Sequence, residues 1–405
     1  MLKLFTTPIE WMMPSHLLQK FIQTLPFKHI QKGSLTVQYL GQSYRFEGLH
    51  PGSHADLEIL SILRFGYLLK TQGELGFAQA YIEHSIRTAS LHQLMTLAHQ
   101  NRAEFTQLLY HKKPLGIWHL WRHRRRHNSV SNSRRNIAAH YDLGNDFYEL
   151  WLDDSMSYSS GLFLKKGESL EQAQQQKYQR ILDQLPLHGQ ESVLEIGCGW
   201  GGFAEIATQK GIDYKGLTLS IEQQNYASNR LKALQLNNKA DITLQDYRHE
   251  TGQYDYIVSI EMFEAVGKEY WHRYFEQLQR NLKSHGKAVL QIITIDDEEA
   301  ETYQNGVDFI QSYIFPGGLL PSLKQLHQLA IEHQFEIVDQ FEFGQDYATT
   351  LSHWMKQFNA SSEALEKMGY DASFQRLWRY YLDYCRVGFE QQHISVYQIT
   401  LEKRF

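Results

Sequence analysis

The run VLEIGCGWGG (193–202) constrains this chain more than any other stretch. An apolar strand ends in glycines at 197, 199 and 201, and a helical pattern, FAEIATQKG, follows at once. A chain that turns so sharply from strand to helix needs glycine where a Cβ would block the turn or hold a ligand away from the backbone. Beyond it, strand and helix patterns alternate, the mark of a doubly wound α/β sheet. The expected strands are SVLEI (192–196), DYKGLTL (213–219), ADITLQD (240–246), DYIVSIE (255–261), KAVLQIIT (287–294), FEIVDQFEF (335–343) and ISVYQITLEK (394–403). The last two alternate in pattern across a long helical segment. They should close a mostly parallel, Rossmann-like sheet with an antiparallel edge pair.

Taken alone, the glycine loop suits NAD, FAD, S-adenosylmethionine or a plain structural turn. An NAD site usually ends its second strand in an acidic residue that binds the ribose hydroxyls. Here that position reads GLTLSIEQQ, with Thr218 and Ser220, which disfavours NAD. The third strand ends LQDYR, where Gln245 and Asp246 can hydrogen-bond an adenine edge. The fourth ends SIEMFEAVG, setting Glu261, Phe263 and Glu264 at the carboxyl end of the sheet, where open α/β sheets bind ligands.

The 405 residues exceed what one core usually serves, so a second, smaller domain is expected. Residues 1–110 read as a small α+β companion: an amphipathic helix around His16–Leu25, a hairpin in GSLTVQYLGQSYRFEG turning near Gly41-Gln42, and helical spacing interrupted by Gly73 and Gly76. A helix over SLHQLMTLAHQNRAEFTQLLY, with Ser90 as N-cap, completes it. Residues 111–136 form a linker with Trp118 and Trp121 beside Arg122, Arg124, Arg125 and Arg126. The bland reading of this knot is a solvated charge run. The functional one is docking on an anionic membrane surface, with interfacial Trp as anchor; nucleic acid, with no accompanying motif, ranks last. Net charge is only −5, so any basic site must be local. No stretch approaches the roughly 20 apolar residues of a spanning helix. The N-terminus lacks the marks of a signal peptide, so a cytoplasmic protein at the inner membrane surface is expected. With only Cys198 and Cys385, a disulfide framework is excluded and a cysteine zinc site implausible; no metal is expected.

HYDLGNDFYELWLDDSMSYSSGLF, VLEIGCGWGG, GLTLSIEQQ, LQDYR, EMFEAVG, YIFPGGLLPS and DYATTLSHW, in order across 137–405, resemble the successive motifs of cyclopropane-fatty-acyl-phospholipid synthases and the related mycolic acid methyltransferases. GELGFAQAYIE resembles the companion domain such synthases often carry. The resemblance implies a class I methyltransferase sheet over 137–405 and S-adenosylmethionine as cofactor, held by Tyr158, Ser159, Glu195, Gly197, Gly199, Gly201, Thr218, Gln223, Gln245 and Asp246. It implies an unsaturated phospholipid as substrate, its tunnel lined by Tyr313, Phe315, Tyr347 and Tyr380, although aromatic spacing such as that of Tyr380, Tyr381 and Tyr384 is more often core packing. A homodimer is left open.

In that family the alkene of an acyl chain attacks the sulfonium methyl group and leaves a carbocation, so the site needs aromatic faces, anionic groups and a base rather than a nucleophile. The base is a bound bicarbonate. Carried over by position, its ligands are Glu264, Tyr347 and the amide of Ile293, while the family's Cys and His are replaced by Ser160 and Gln291. Both replacements still hydrogen-bond, through Oγ and the amide NH₂, so bicarbonate is expected to bind more weakly. If the anion site survives, the product is a cyclopropane fatty acid. If the base is impaired, a methyl- or methylene-branched chain results. Methylation of a soluble small molecule, and a lipid-binding protein without catalysis, are the other readings.

Overall fold

Asn101 decides how the N-terminal strands and helices fit together. In the computed structural model, which describes residues 25–109 and 143–404, β1 (Lys32–Tyr39) and β2 (Gln42–Glu47) form the expected hairpin, paired antiparallel from Ser34↔Glu47 to Tyr39↔Gln42. Its turn, Leu40-Gly41, is left-handed at both residues, φ 48° and 75°, which matches the strand twist. β3 (His50–Ile59) runs parallel to β1, and β4 (Ile86–Arg87) completes the order β2-β1-β3-β4. Gly73 separates helices Ile62–Gln72 and Glu74–Ile82 as expected. Gly76 does not break the second one; a Cβ there would stand 2.0 Å from the Leu68 carbonyl oxygen, so glycine lets the two helices touch. Ser90 caps the next helix, its side chain accepting from the Gln93 N–H at 3.2 Å.

The helix expected over 90–110 divides into Leu91–Gln100 and Arg102–Leu109. Between them the fully buried Asn101 accepts from the N–H groups of Gln31 (2.7 Å) and Lys32 (2.9 Å) and donates to the carbonyls of Lys32 and Leu97, both at 2.9 Å. The helix gives way because one side chain satisfies the backbone at the start of β1. Apart from Leu25, the helix expected at 16–25 lies outside the described residues, as does the linker with Arg122, Arg124, Arg125 and Arg126.

Residues 362–391 group with the N-terminal unit and not with the sheet that follows, which differs from the expected 137–405 division. The helix Ala372–Glu390 supplies the reason. Its Ser373 hydroxyl (3.0 Å) and Arg376 Nε (2.9 Å) both donate to the Ile82 carbonyl at the end of helix Glu74–Ile82, and Glu390 meets His92 at 2.5 Å. Tyr380, expected on the substrate tunnel, is buried in this first unit, its ring 5.9 Å from Tyr81 and 6.3 Å from Tyr384.

The second unit, residues 143–361 with 392–404, carries the seven expected strands: β5 (Ser192–Ile196), β6 (Asp213–Thr218), β7 (Ala240–Leu244), β8 (Tyr254–Ile260), β9 (Leu282–Ile295), β10 (Phe335–Glu342) and β11 (Ile394–Lys403). Their order is β10-β11-β9-β8-β5-β6-β7. β9 through β7 are parallel; β11 runs against both β9 and β10, giving the antiparallel pair at the edge. Successive residues of one strand feed opposite cores. Leu194 and Ile196 pack with Phe275 and Leu278 of helix Trp271–Asn281, whereas Val193 packs with Ile181 of helix Leu170–Asp183 and Phe203 of helix Gly202–Gln209. Helices thus cover both faces, and the central strands read as continuous apolar runs.

Asn101→Ala is expected to lower stability by about 2 kcal/mol, because it removes four hydrogen bonds between a buried side chain and the backbone. A urea midpoint within error of the parent would show that Asn101 does not organise this unit.

Candidate active site

The glycine turn opens the site. Gly197, Gly199 and Gly201 have φ of 86°, 52° and 84°, and the N–H groups of Gly197 and Cys198 both donate to the Leu217 carbonyl at 3.0 Å, tying the turn to β6. A Cβ at Gly197 would stand 2.8 Å from Met262 Cγ, whereas one at Gly199 would meet no atom within 4 Å. The turn is therefore packed on one side and open on the other, at the carboxyl end of the parallel strands. At the end of β6 the Thr218 hydroxyl donates to Gln223 Oε1 at 2.8 Å and accepts from the Ser220 N–H at 3.1 Å. Just past β7, Gln245 Nε2 donates to Glu250 (2.9 Å), and Arg248 grips both oxygens of Asp246 at 2.8 and 2.6 Å. These residues stand at the ends of three adjacent strands, and an open turn beside polar strand ends fits an adenosyl ligand. Glu195 does not join them. Strand alternation turns it into the core against the Tyr214 hydroxyl, and burial pushes its carboxyl up to about 8 against the pull of Tyr214 and Lys177.

Tyr158, Ser159 and Ser160 sit on a loop pinned by the helix Gly344–Ala360. Thr350 Oγ1 accepts from the Gly161 N–H at 3.0 Å, and Asp346 from the Phe163 N–H at 3.2 Å. The Tyr158 ring lies in an aromatic cage with Trp151 and Trp354 (both 5.4 Å), Tyr148 (5.5 Å) and Phe315 (6.4 Å). Tyr313 stays outside, 36% exposed and stacked on Phe309. Ser159 Oγ accepts from Lys177 Nζ at 2.7 Å. That lysine is fully buried, and burial lowers its pKa to about 8 against the attraction of Glu261, Asp153 and Glu195.

Glu261 is the centre of the arrangement. Its Oε1 accepts from the Ser160 N–H (2.9 Å) and Gln291 Nε2 (2.8 Å), and its Oε2 from the Tyr347 hydroxyl (2.6 Å). Burial raises its pKa, opposed by Tyr347, Ser160, Gln291 and Lys177 in that order. The residue has φ 50°, a left-handed conformation that costs a side chain with a Cβ roughly 1–2 kcal/mol. A relay fixes which way Gln291 points. Arg180, which can only donate, gives Nη1 to Gln398 Oε1 at 3.0 Å and Nη2 to Asp339 at 2.6 Å. Gln398 Nε2 then donates to Gln291 Oε1 at 3.1 Å, and the Gln291 amide is left to donate to Glu261.

Three residues on, Glu264 takes the Ile293 N–H on Oε1, while its buried Oε2 has no hydrogen-bond partner among the described residues. Burial, and next the negative charge of Glu261, push this carboxyl up to about 8. The five residues expected to hold bicarbonate are thus brought together, but their donors are spent within the chain. Ser160 turns Oγ to the Gly161 carbonyl (2.9 Å) and offers only its N–H; that N–H, Gln291 and Tyr347 all serve Glu261, and Ile293 serves Glu264. With the Glu261 carboxylate taking the donors that an anion would need, these residues do not fit a bound bicarbonate. Sequence reasoning placed Glu261 at this end of the sheet without giving it a role; the signal was a second glutamate three residues before Glu264. Lys177, inside QAQQQKYQR, carried no signal, since that segment reads as a solvated helix face.

Fold, open glycine turn and polar strand ends define an S-adenosylmethionine-dependent class I methyltransferase. Residues 128–399 match the family described as mycolic acid cyclopropane synthetase, and the chain belongs to that family. It is 35% identical over 338 residues to the tuberculostearic acid methyltransferase UfaA1 of Mycobacterium tuberculosis, covering 81% of this chain and 79% of that one. It is 39% identical over 265 residues to the cyclopropane-fatty-acyl-phospholipid synthase of Escherichia coli, covering 65% and 66%. The mycolic acid cyclopropane synthase CmaA1, solved with SAH and CTAB, superposes with a TM-score of 0.62 at 29% identity, covering 67% of this chain and 98% of that one. The protein is a C-methyltransferase of the cyclopropane-synthase type. None of the described helices is long and apolar enough to cross a membrane.

A carboxyl whose folded pKa lies above its ordinary 4.5 binds protons more tightly in the folded than the unfolded state, so its contribution to stability falls as pH rises from about 4.5 to about 8. Glu264→Gln removes that dependence. In thermal melts its midpoint should gain on the parent steadily between about pH 5 and pH 8; an offset that does not vary with pH would contradict the assignment.

Proposed function

We propose that this enzyme methylates the double bond of an unsaturated acyl chain carried on a phospholipid. One observation carries the reading: the Glu261 carboxylate, which accepts three hydrogen bonds, adjoins the aromatic cage around Tyr158, with Tyr347 bonded to Glu261 and its ring 6.1 Å from that of Trp354. The glycine turn, Thr218, Gln223, Gln245 and Asp246 would hold S-adenosylmethionine, whose sulfur–methyl bond would break as the alkene takes the methyl group, leaving a substrate carbocation. Faces of Tyr158, Trp151, Trp354 and Phe315 stabilise the positive charge, and their packing keeps water from quenching it. The base then takes a proton. Removal from the delivered methyl group closes a cyclopropane ring.

A second reading has its own support. Loss of a proton after hydride migration gives a methylene-branched chain, which a separate reductase would saturate. The altered anion site and the likeness to a tuberculostearic acid methyltransferase across 81% of the chain favour it.

Purified protein with labelled S-adenosylmethionine and vesicles of an unsaturated phospholipid should yield labelled fatty acid. The two products share a mass, so proton NMR separates cyclopropane from vinylidene hydrogens. Label confined to water-soluble products would refute the lipid assignment.

The basic segment with Arg122, Arg124, Arg125 and Arg126 supports docking on the anionic inner membrane surface. Replacing Arg124, Arg125 and Arg126 by Ala should weaken binding to anionic vesicles and flatten its salt dependence, since exposed charges are screened within about 8 Å at physiological ionic strength. Unchanged binding would return the segment to a solvated charge run.

A further inference from the structure

We propose that Glu261 is the resident base of the reaction, its side chain taking the place of a bound bicarbonate, so that turnover needs none. The inference rests on the methyl transfer to an alkene argued above and follows from where the hydrogen bonds go. Three donors from three separate elements converge on this carboxylate: the Ser160 N–H from the loop, Gln291 from β9 and the Tyr347 hydroxyl from the helix Gly344–Ala360. The fourth expected donor, the Ile293 N–H, is taken by Glu264.

Among the described residues, Oε1 of Glu261 accepts two bonds and Oε2 one, so one lone pair of Oε2 remains to accept a proton. In the step itself a C–H bond of the substrate cation breaks. Its electron pair becomes the new carbon–carbon bond, the proton passes to Oε2, and it leaves to solvent when the product is exchanged. Glu264 is the poorer base, because burial beside Glu261 keeps it protonated at neutral pH. The backbone points the same way. Glu261 holds φ 50°, where glycine would be at ease, so the side chain is present at the expense of local strain.

Glycine at 261 relaxes that strain and frees the three donors, which makes Glu261→Gly a variant that should fold. Full-length parent and Glu261→Gly are assayed with labelled S-adenosylmethionine and unsaturated phospholipid vesicles, in buffer stripped of carbon dioxide and again with bicarbonate added. The parent should run at the same rate in both. Glu261→Gly should be at least about a hundredfold slower in stripped buffer, the usual scale of a lost general base, and should recover when bicarbonate is added. A parent that slows on stripping and recovers with bicarbonate overturns the proposal, as does a Glu261→Gly variant of full activity in stripped buffer. If the parent labels no lipid in either buffer, the functional reading itself fails, and the anion site is decided by carbon-13 bicarbonate NMR without substrate. Line broadening by Glu261→Gly alone supports the assignment; equal broadening by the parent refutes it.

Discussion

Burying the carboxylate of Glu261 is the constraint around which the second unit is arranged. A charge removed from water is tolerated only where hydrogen bonds and an opposite charge replace its hydration. Here the replacements come from four elements: the loop at Ser160, β9 at Gln291, the helix Gly344–Ala360 at Tyr347, and Lys177 on the helix Leu170–Asp183. Each element is itself braced. Thr350 and Asp346 hold the loop, the Arg180–Gln398 relay orients Gln291, and Ser159 receives the Lys177 ammonium. The site is rigid for the reason that makes it expensive. Releasing any one contact leaves a buried polar group without its partner.

On the proposed reaction the arrangement needs no nucleophile. When the substrate supplies the electron pair, what the protein must provide is a setting in which positive charge can exist briefly beside a proton acceptor. On the proposed reaction, Tyr158 and its four aromatic neighbours would present π faces to that charge, and Glu261 and Glu264 would bring carboxyl groups near it. Cys198, in the glycine turn, is buried and its thiol is pushed well up, which suits packing and not attack.

Much of this was legible in the amino-acid order. Strand positions followed from apolar runs bounded by turn residues, since a strand covered on both faces has a composition no exposed segment shares; SVLEI and ISVYQITLEK coincide with β5 and β11. Breaks were harder. Asn101 interrupts an unbroken amphipathic pattern because its partners are 69 and 70 residues away, and helical spacing holds no record of distant backbone. Tyr380 lay on the wrong side of an inferred boundary for a similar reason: the helix Ala372–Glu390 follows the catalytic segment in sequence but packs with Ile82 and His92. Position-by-position carry-over pointed to five residues that the structure brings together, and gave no sign that Glu261 takes the hydrogen bonds of three of them.

The replacements at 160 and 291 are best understood together with Glu261. Considered one at a time, Ser160 and Gln291 look like independent departures that weaken an anion site, and Glu261 looks unrelated to them. In space the three meet. A side-chain carboxylate brought into the site needs donors that remain neutral and a backbone that can aim it; Gln291 donates without adding a titrating group, Ser160 supplies its N–H, and a left-handed residue 261 turns the carboxylate inward. A tethered base also escapes the dependence of an exchangeable anion on its concentration, since its effective concentration is set by the chain. The strain at residue 261 is then the local cost of an always-occupied site, offset by the three hydrogen bonds that strain makes reachable.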